Sequence, residues 1–142
     1  MEAFTEAEAA FLSARRLAFI ATVSPDGEVD VAPVAYRYDG ERFLIGGRGL
    51  ERTLKFRNVS ARSTRVALTV EDGSPEGPRG LKVHGRAEIV RLLRDEREVI
   101  AITPERSWSW GIEEPAFRPD GSYVLHRSHR IPDGRGRGAR PA

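Results

Sequence analysis

The chain has 142 residues, 39% of them hydrophobic and 31% charged, with no cysteine; this suits one domain with a sizeable core and excludes a disulfide framework, a thiol nucleophile and a cysteine metal site. The net charge of +2 hides a split: residues 127–142 carry five arginines against one aspartate, and the rest holds 18 bases against 20 acids. The body therefore lacks the broad basic field of a nucleic-acid binder, and no apolar run approaches the roughly 18 residues of a membrane span. The N-terminus has no basic and apolar leader pattern, so neither nucleic acid nor membrane is an expected partner and the chain reads as cytoplasmic.

The first element is a helix. Thr5-Glu6-Ala7-Glu8 is a capping box with Thr5 as N-cap. The helix is expected to run to about Ala14, with Phe4, Ala9, Phe11 and Leu12 free to pack. Leu17 to Val23 reads as a buried strand, Ser24-Pro25-Asp26-Gly27 as a turn, and Glu28 to Tyr38 as the returning strand of a hairpin. Pro33 interrupts that strand and marks either a bulge or an edge position, since it lacks a ladder N–H. Asp39-Gly40 turns the chain into a strand over 42–46.

Gly46-Gly47-Arg48-Gly49 follows, then the basic run Arg52-Thr53-Leu54-Lys55-Phe56-Arg57-Asn58. A glycine-rich loop feeding a helix N-terminus directs backbone N–H groups at an anion. Arginine forks match phosphate oxygens, lysine adds a point charge, and Thr53 adds a hydroxyl. The segment therefore reads as a phosphate site or, equally, as a hairpin and a solvated basic helix.

Arg65 to Glu71 is a further strand, and 72–78 a dense loop of Gly, Ser and Pro. Leu81 to Val90 alternates: Leu81, Val83, Gly85, Ala87 and Ile89 on one face, Lys82, His84, Arg86 and Glu88 on the other. Residues 94–98 form a polar link. Residues 99–103 fit a strand or a short helix, and 122–126 fit a final strand. Trp108 and Trp110 share a face if their segment is extended, and either stack on a planar ring or bury at a dimer interface. The Gly/Arg-rich end cannot bury apolar surface and is expected to be disordered, leaving residues 1–126 as the folded domain and 127–142 as a tail. The sum is six or seven antiparallel strands with two short helices, a mainly β chain suited to a closed or nearly closed barrel.

No histidine pair has metal-ligand spacing, so no metal is expected. There is no nucleophile elbow and no dinucleotide fingerprint. Tyr36 and Tyr38 share a face and are either proton donors or core residues with satisfied hydroxyls. His84 reads as a solvated surface group.

Four segments together resemble the split-barrel superfamily related to pyridoxamine 5′-phosphate oxidase, and within it the branch that uses the deazaflavin coenzyme F420. They are residues 19–27 with Val31-Ala32-Pro33-Val34; Ile45-Gly46-Gly47 through Lys55-Phe56-Arg57-Asn58-Val59; 78–88; and Ile102-Thr103-Pro104 with Ser109-Trp110-Gly111-Ile112. The resemblance implies a six-stranded antiparallel split β-barrel with short flanking helices. It implies a homodimer with cofactor sites at the interface. It places the cofactor ring along Val31, Ala32, Pro33 and Val34, and its phosphate on Lys55 and Arg57 with Thr53 and Asn58, beside Gly46, Gly47 and Arg48. Residues near Arg79-Gly80 and Trp108-Ser109-Trp110 close the site, from the same or the partner subunit. The family's second basic residue is replaced here by Leu54, and Arg52 is the substitute at hand. The implied activity is F420-dependent hydride transfer to a small unsaturated or quinone-like substrate, with no catalytic side chain assigned. The alternatives are an FMN-dependent oxidoreductase on the same barrel, a flavin- or haem-binding carrier, and an interaction module acting through the basic tail.

Overall fold

A computed structural model describes residues 3–61 and 64–127. The N-terminal helix α1 spans Glu6–Ser13 and closes on the expected capping box: Thr5 Oγ1 accepts from the Glu8 N–H at 3.1 Å, and Glu8 Oε1 accepts from the Thr5 N–H at 3.0 Å. Strands β1 (Leu17–Val23) and β2 (Val29–Ala35) form the expected hairpin, with Leu17 opposite Ala35 and Val23 opposite Val29. The returning strand is interrupted at Tyr36. Arg37–Tyr38 forms a separate β3 that pairs with β4 (Phe43–Ile45).

Helix α2 (Leu54–Ser60) does not follow the glycines directly, because a 3-10 turn over Leu50–Arg52 intervenes. Beyond it lie β5 (Arg65–Ser74), β6 (Gly77–Arg91), β7 (Glu98–Trp110) and the two-residue β8 (His126–Arg127). The sheet order is β2-β1-β5-β6-β7-β4-β3, with β8 on β7. β2 and β3 stand at opposite edges of this order, yet only Tyr36 separates them in the chain. One ten-residue stretch thus serves both edges, so the sheet must curl round on itself. With β2 and β3 counted as one bent strand, the six-stranded split barrel expected from the sequence results, and β8 is an addition. The corner is pinned by the Tyr36 N–H, which donates to the Arg16 carbonyl at 2.9 Å, and by its phenol, which donates to the Leu12 carbonyl at 2.7 Å.

Inward residues of the strands make the core. Ile20, Phe43, Ile45, Leu68, Leu81, Val83, Ile100 and Ile102 are almost fully enclosed, and each such side chain contributes about 1.5–3 kcal/mol by leaving water. Phe43 meets the rings of Phe4, Tyr36 and Tyr38 at centroid distances of 6.1, 5.7 and 5.0 Å. The helices lie at opposite ends of the barrel. α1 packs Phe11 and Leu12 near the start of β1, whereas α2 packs Asn58 and Val59 near its end.

Several local expectations change. The segment read as a dense loop at 72–78 is mostly ladder, with Asp72 opposite Arg79, Gly73 opposite Pro78 and Ser74 opposite Gly77. Glycine and proline there mark a hairpin end rather than a loop. The ambiguous 99–103 stretch lies inside the 13-residue β7. The final strand expected at 122–126 reduces to a bridge between Phe117 and Tyr123, with β8 one step later. Pro33 sits in an unbroken register opposite Phe19 on an edge strand, so no bulge forms. Arg127 belongs to β8, and the rest of the expected tail lies outside the described residues. Among those described, no helix is long and apolar enough to cross a membrane.

Candidate functional site

The basic segment leaves its charges free. Arg48, Arg52 and Arg57 are exposed and Lys55 is half-buried. None of the four forms an ion pair among the described residues. Gly47 and Gly49 hold φ values of +135° and +70°, a backbone region that side chains rarely enter. The side of Gly47 opens to empty space, and the Arg52 guanidinium lies against Gly49, where a Cβ would stand 3.0 Å from its Nη2. Arg52 therefore folds back over the glycine loop.

The glycines do not feed the helix directly, since the 3-10 turn over Leu50–Arg52 stands between them. Thr53 caps α2, its Oγ1 accepting from the Phe56 N–H at 3.3 Å and donating to the Leu50 carbonyl at 2.6 Å. Its hydroxyl is thus committed to the turn. Asn58 is also committed: it is 3% exposed, and its amide donates to Thr22 Oγ1 at 2.9 Å. This bond ties α2 to β1. Lys55 and Arg57, two apart on a helix, leave on different sides, and Arg52 lies off the helix, in the 3-10 turn that the extended Thr53 separates from Lys55.

The stretch Val31-Ala32-Pro33-Val34 lies on the edge strand β2, whose open side offers peptide groups not used by β1. Val31 and Pro33 face outward, Val34 faces the core, and Ala32 is half-buried. The outer face here is apolar: Leu17, Phe19, Val29 and Val31 are 71%, 53%, 77% and 66% exposed. Their register neighbours Ala35, Pro33, Val23 and Ala21 extend the patch. No reading of the sequence anticipated this surface, although the alternate apolar residues on both faces of β1 carried its signal.

Arg79 and Trp110 lie at the other end of the barrel from the basic segment. β1 alone separates the two ends by roughly 20 Å at about 3.3 Å per residue. Arg79 and Arg15 both bond Asp72 Oδ2, and both guanidiniums lie over the Phe11 ring, at 5.5 and 4.5 Å from its centre. Hydrogen bonds from Arg79, then from Arg15, hold the Asp72 carboxyl below its ordinary range. Trp110 packs flat on Gly80, where any Cβ would overlap the indole. One subunit therefore does not bring Arg79 and Trp110 to Lys55 and Arg57.

Trp108 and Trp110 do share a face, since β7 is extended there. Trp108 carries the Lys82 ammonium 4.7 Å above its ring and the His84 imidazole at 4.7 Å. Burial, then Lys82, Arg106 and Arg65, lower the His84 pKa. Of the tyrosines, Tyr36 is a core residue with a satisfied hydroxyl, and burial pushes its pKa up to about 12. It is no proton donor at neutral pH. Tyr38 donates to the Gly40 carbonyl at 2.9 Å. No cluster of His, Cys, Asp or Glu able to hold a metal occurs among the described residues. A cavity of about 430 Å³ lies beside α2 and is lined by Phe56, Val59, Ala87, Glu88, Ile89 and Glu98.

Comparison with known proteins bears on this geometry. The pyridoxamine 5′-phosphate oxidase family matches residues 4–123. Among solved structures, an F420 reductase is 25% identical, with a TM-score of 0.56 over 69% of this chain and 93% of that one. A putative pyridoxamine 5′-phosphate oxidase from Lactobacillus delbrueckii is 20% identical, with a TM-score of 0.59 over 75% and 98%. An FAD-binding protein from Mycobacterium smegmatis is 17% identical, with a TM-score of 0.55 over 89% and 96%. Comparison with curated protein sequences returns no match.

Proposed function

From the premise that this chain belongs to the pyridoxamine 5′-phosphate oxidase family, we propose that it is a homodimeric, F420-dependent oxidoreductase acting on a small organic molecule. The carrying observation is the set of unpaired cations Arg48, Arg52, Lys55 and Arg57 around a glycine loop with open space beside Gly47. Such groups fit a phosphate-bearing cofactor, because charge-assisted bonds from arginine and lysine are the strong ones available to phosphate. The similarity to an F420 reductase supports the deazaflavin over FMN.

Arg52 and Lys55 hold the phosphate, with Arg48 at the loop and Arg57 flanking. Thr53 and Asn58 act one step back, fixing the helix that carries these cations. The open edge of β2 along Val31-Ala32-Pro33-Val34 orients the polar rim of the ring. When bound, the reduced deazaflavin supplies a hydride to an electron-poor acceptor. No protein acid is required beside it.

A second copy of the chain covers the apolar face of β1 and β2. An exposed contiguous patch of this kind marks an interaction surface, and a two-fold axis in the plane of the face and across the strands reverses the strands of the partner. That reversal sets the Trp110 end of one subunit toward the Lys55 end of the other, so the closing residues come from the partner. The FMN-dependent reading uses the same cations and draws on the similarity to flavin-binding relatives.

A paired titration of cofactor-free protein with oxidised F420 and with FMN, followed by fluorescence, tests this. Tighter F420 binding is expected. Preference for FMN moves the protein to the flavin reading, and binding of neither removes the phosphate site.

A further inference from the structure

Two cross-strand rows run over the outer face of the barrel. One reads Pro33, Phe19, Thr69, Lys82, Trp108, Arg127, and the next Val31, Ala21, Ala67, His84, Arg106. Neither row contains a carboxylate. One half of the face is apolar and the other cationic, with a tryptophan in the cationic half. Lys82, Arg106 and Arg127 are exposed and form no ion pair among the described residues, and Arg65 is in the same state one row away; Glu71, the carboxylate of this face, stands one row to the other side, diagonal to Lys82, and is ion-paired with none of them. Arg86, by contrast, is neutralised by Glu105 at 3.5 Å.

Charges of one sign on neighbouring strands repel, and cross-strand like pairs destabilise a sheet. With one carboxylate beside four cations, this spot keeps a net positive charge that an outside anion can meet. Trp108 supplies a flat π surface in its midst, already engaged by Lys82. A planar molecule lying on the indole puts an acidic substituent among Lys82, Arg106 and Arg65.

We infer that the Trp108 face is the substrate platform of this protein and that it selects a planar, conjugated anion. The inference rests on the oxidoreductase reading for the word substrate, but the binding surface stands without it. The cationic half adjoins the apolar patch assigned to the second copy, so the platform lies at the seam where the cofactor site is completed.

The test is a titration of ¹⁵N-labelled, cofactor-free protein with 2-naphthoate and with its neutral amide, following the two indole N–H signals. The acid is expected to shift the Trp108 signal and to bind at least about tenfold tighter than the amide at low salt, weakening as salt rises. Lys82→Ala and Arg106→Ala each weaken the acid about three- to tenfold, Lys82→Arg restores it, and Arg94→Ala on the distant β6–β7 turn has no effect. Equal affinity for acid and amide, or undiminished binding in the folded Lys82→Ala and Arg106→Ala variants, overturns the inference. F420 added to the same samples keeps the two readings apart. F420 binding without naphthoate selectivity sinks the platform alone. Naphthoate selectivity without F420 binding sinks the cofactor reading and leaves the anion platform standing.

Discussion

The two ends of this barrel use charge in opposite ways. At the α1 end charged and polar side chains pair with one another. Thr5 and Glu8 close the capping box, Thr5 also reaches Glu113, Arg15 and Arg79 share Asp72, and Tyr36 bonds Leu12. At the α2 end Arg48, Arg52, Lys55 and Arg57 have no ionic partner among the described residues. An end whose charges are paired with one another holds a fold, whereas one whose cations have no partner is available to a ligand. Sites tend to sit where local rules of charge balance are broken.

The strongest way to sharpen that contrast is to damage the α1 end. Phe43→Ala removes a ring that is fully enclosed among three other aromatics. It should lower unfolding free energy by about 3–5 kcal/mol, read by urea denaturation. A fall below about 1 kcal/mol breaks the claim that this cluster holds the barrel.

At the other end, Lys55→Ala should leave the melting temperature almost unchanged and weaken cofactor binding about ten- to a hundredfold, matching roughly 1.5–3 kcal/mol for a charged hydrogen bond. Cofactor titration beside a thermal melt separates the two effects. A large loss of stability with unchanged affinity would reverse the roles assigned to the two ends.

Tyr36 gives the α1 end a pH signature. Its pKa is raised in the folded state from 10.0 to about 12, by burial above all. The contribution is therefore full below pH 10 and is lost as pH rises through about 12. At pH 11 the loss is about 1.4 kcal/mol. Tyr36→Phe should cost about 1 kcal/mol at pH 7 for its lost hydrogen bond, yet remove that alkaline decline. Parallel slopes for both proteins between pH 9 and 11 would contradict the assignment.

The smallest effect belongs to Ser109, which is fully buried on β7 with no partner for its Oγ. Ser109→Ala should be neutral or stabilise by up to about 1 kcal/mol, because an unpaired buried hydroxyl is a cost. Destabilisation beyond that range in a thermal melt would show that the hydroxyl has a role the packing does not reveal.

Much of this fold is readable locally. The capping box, the hairpin about Ser24–Gly27 and the alternation from Leu81 to Ile89 each depend on neighbours within a few residues. The errors came where local signals compete with pairing. Gly73, Pro75 and Pro78 look like loop, but long-range register carries β5 and β6 to within two residues of each other. Tyr36 looks like mid-strand, but the corner bonds to Arg16 and Leu12 divide the strand in two. The basic segment was legible as a site candidate because its residues are contiguous. Which of its groups remain free was not, since Thr53 and Asn58 are withdrawn by partners that only the folded chain supplies.

The sequence by itself determined the barrel class, the first helix and the cluster of cations after the glycines, because composition, period and capping act at short range. The tertiary structure decided the rest. It set Arg79 and Trp110 at the far end from Lys55, exposed the apolar face of β1 and β2, and aligned Lys82, Trp108 and Arg106 with Phe19 and Pro33 across five strands. Phe19, Lys82 and Trp108 are dozens of residues apart in the chain, and only strand register brings them onto one surface.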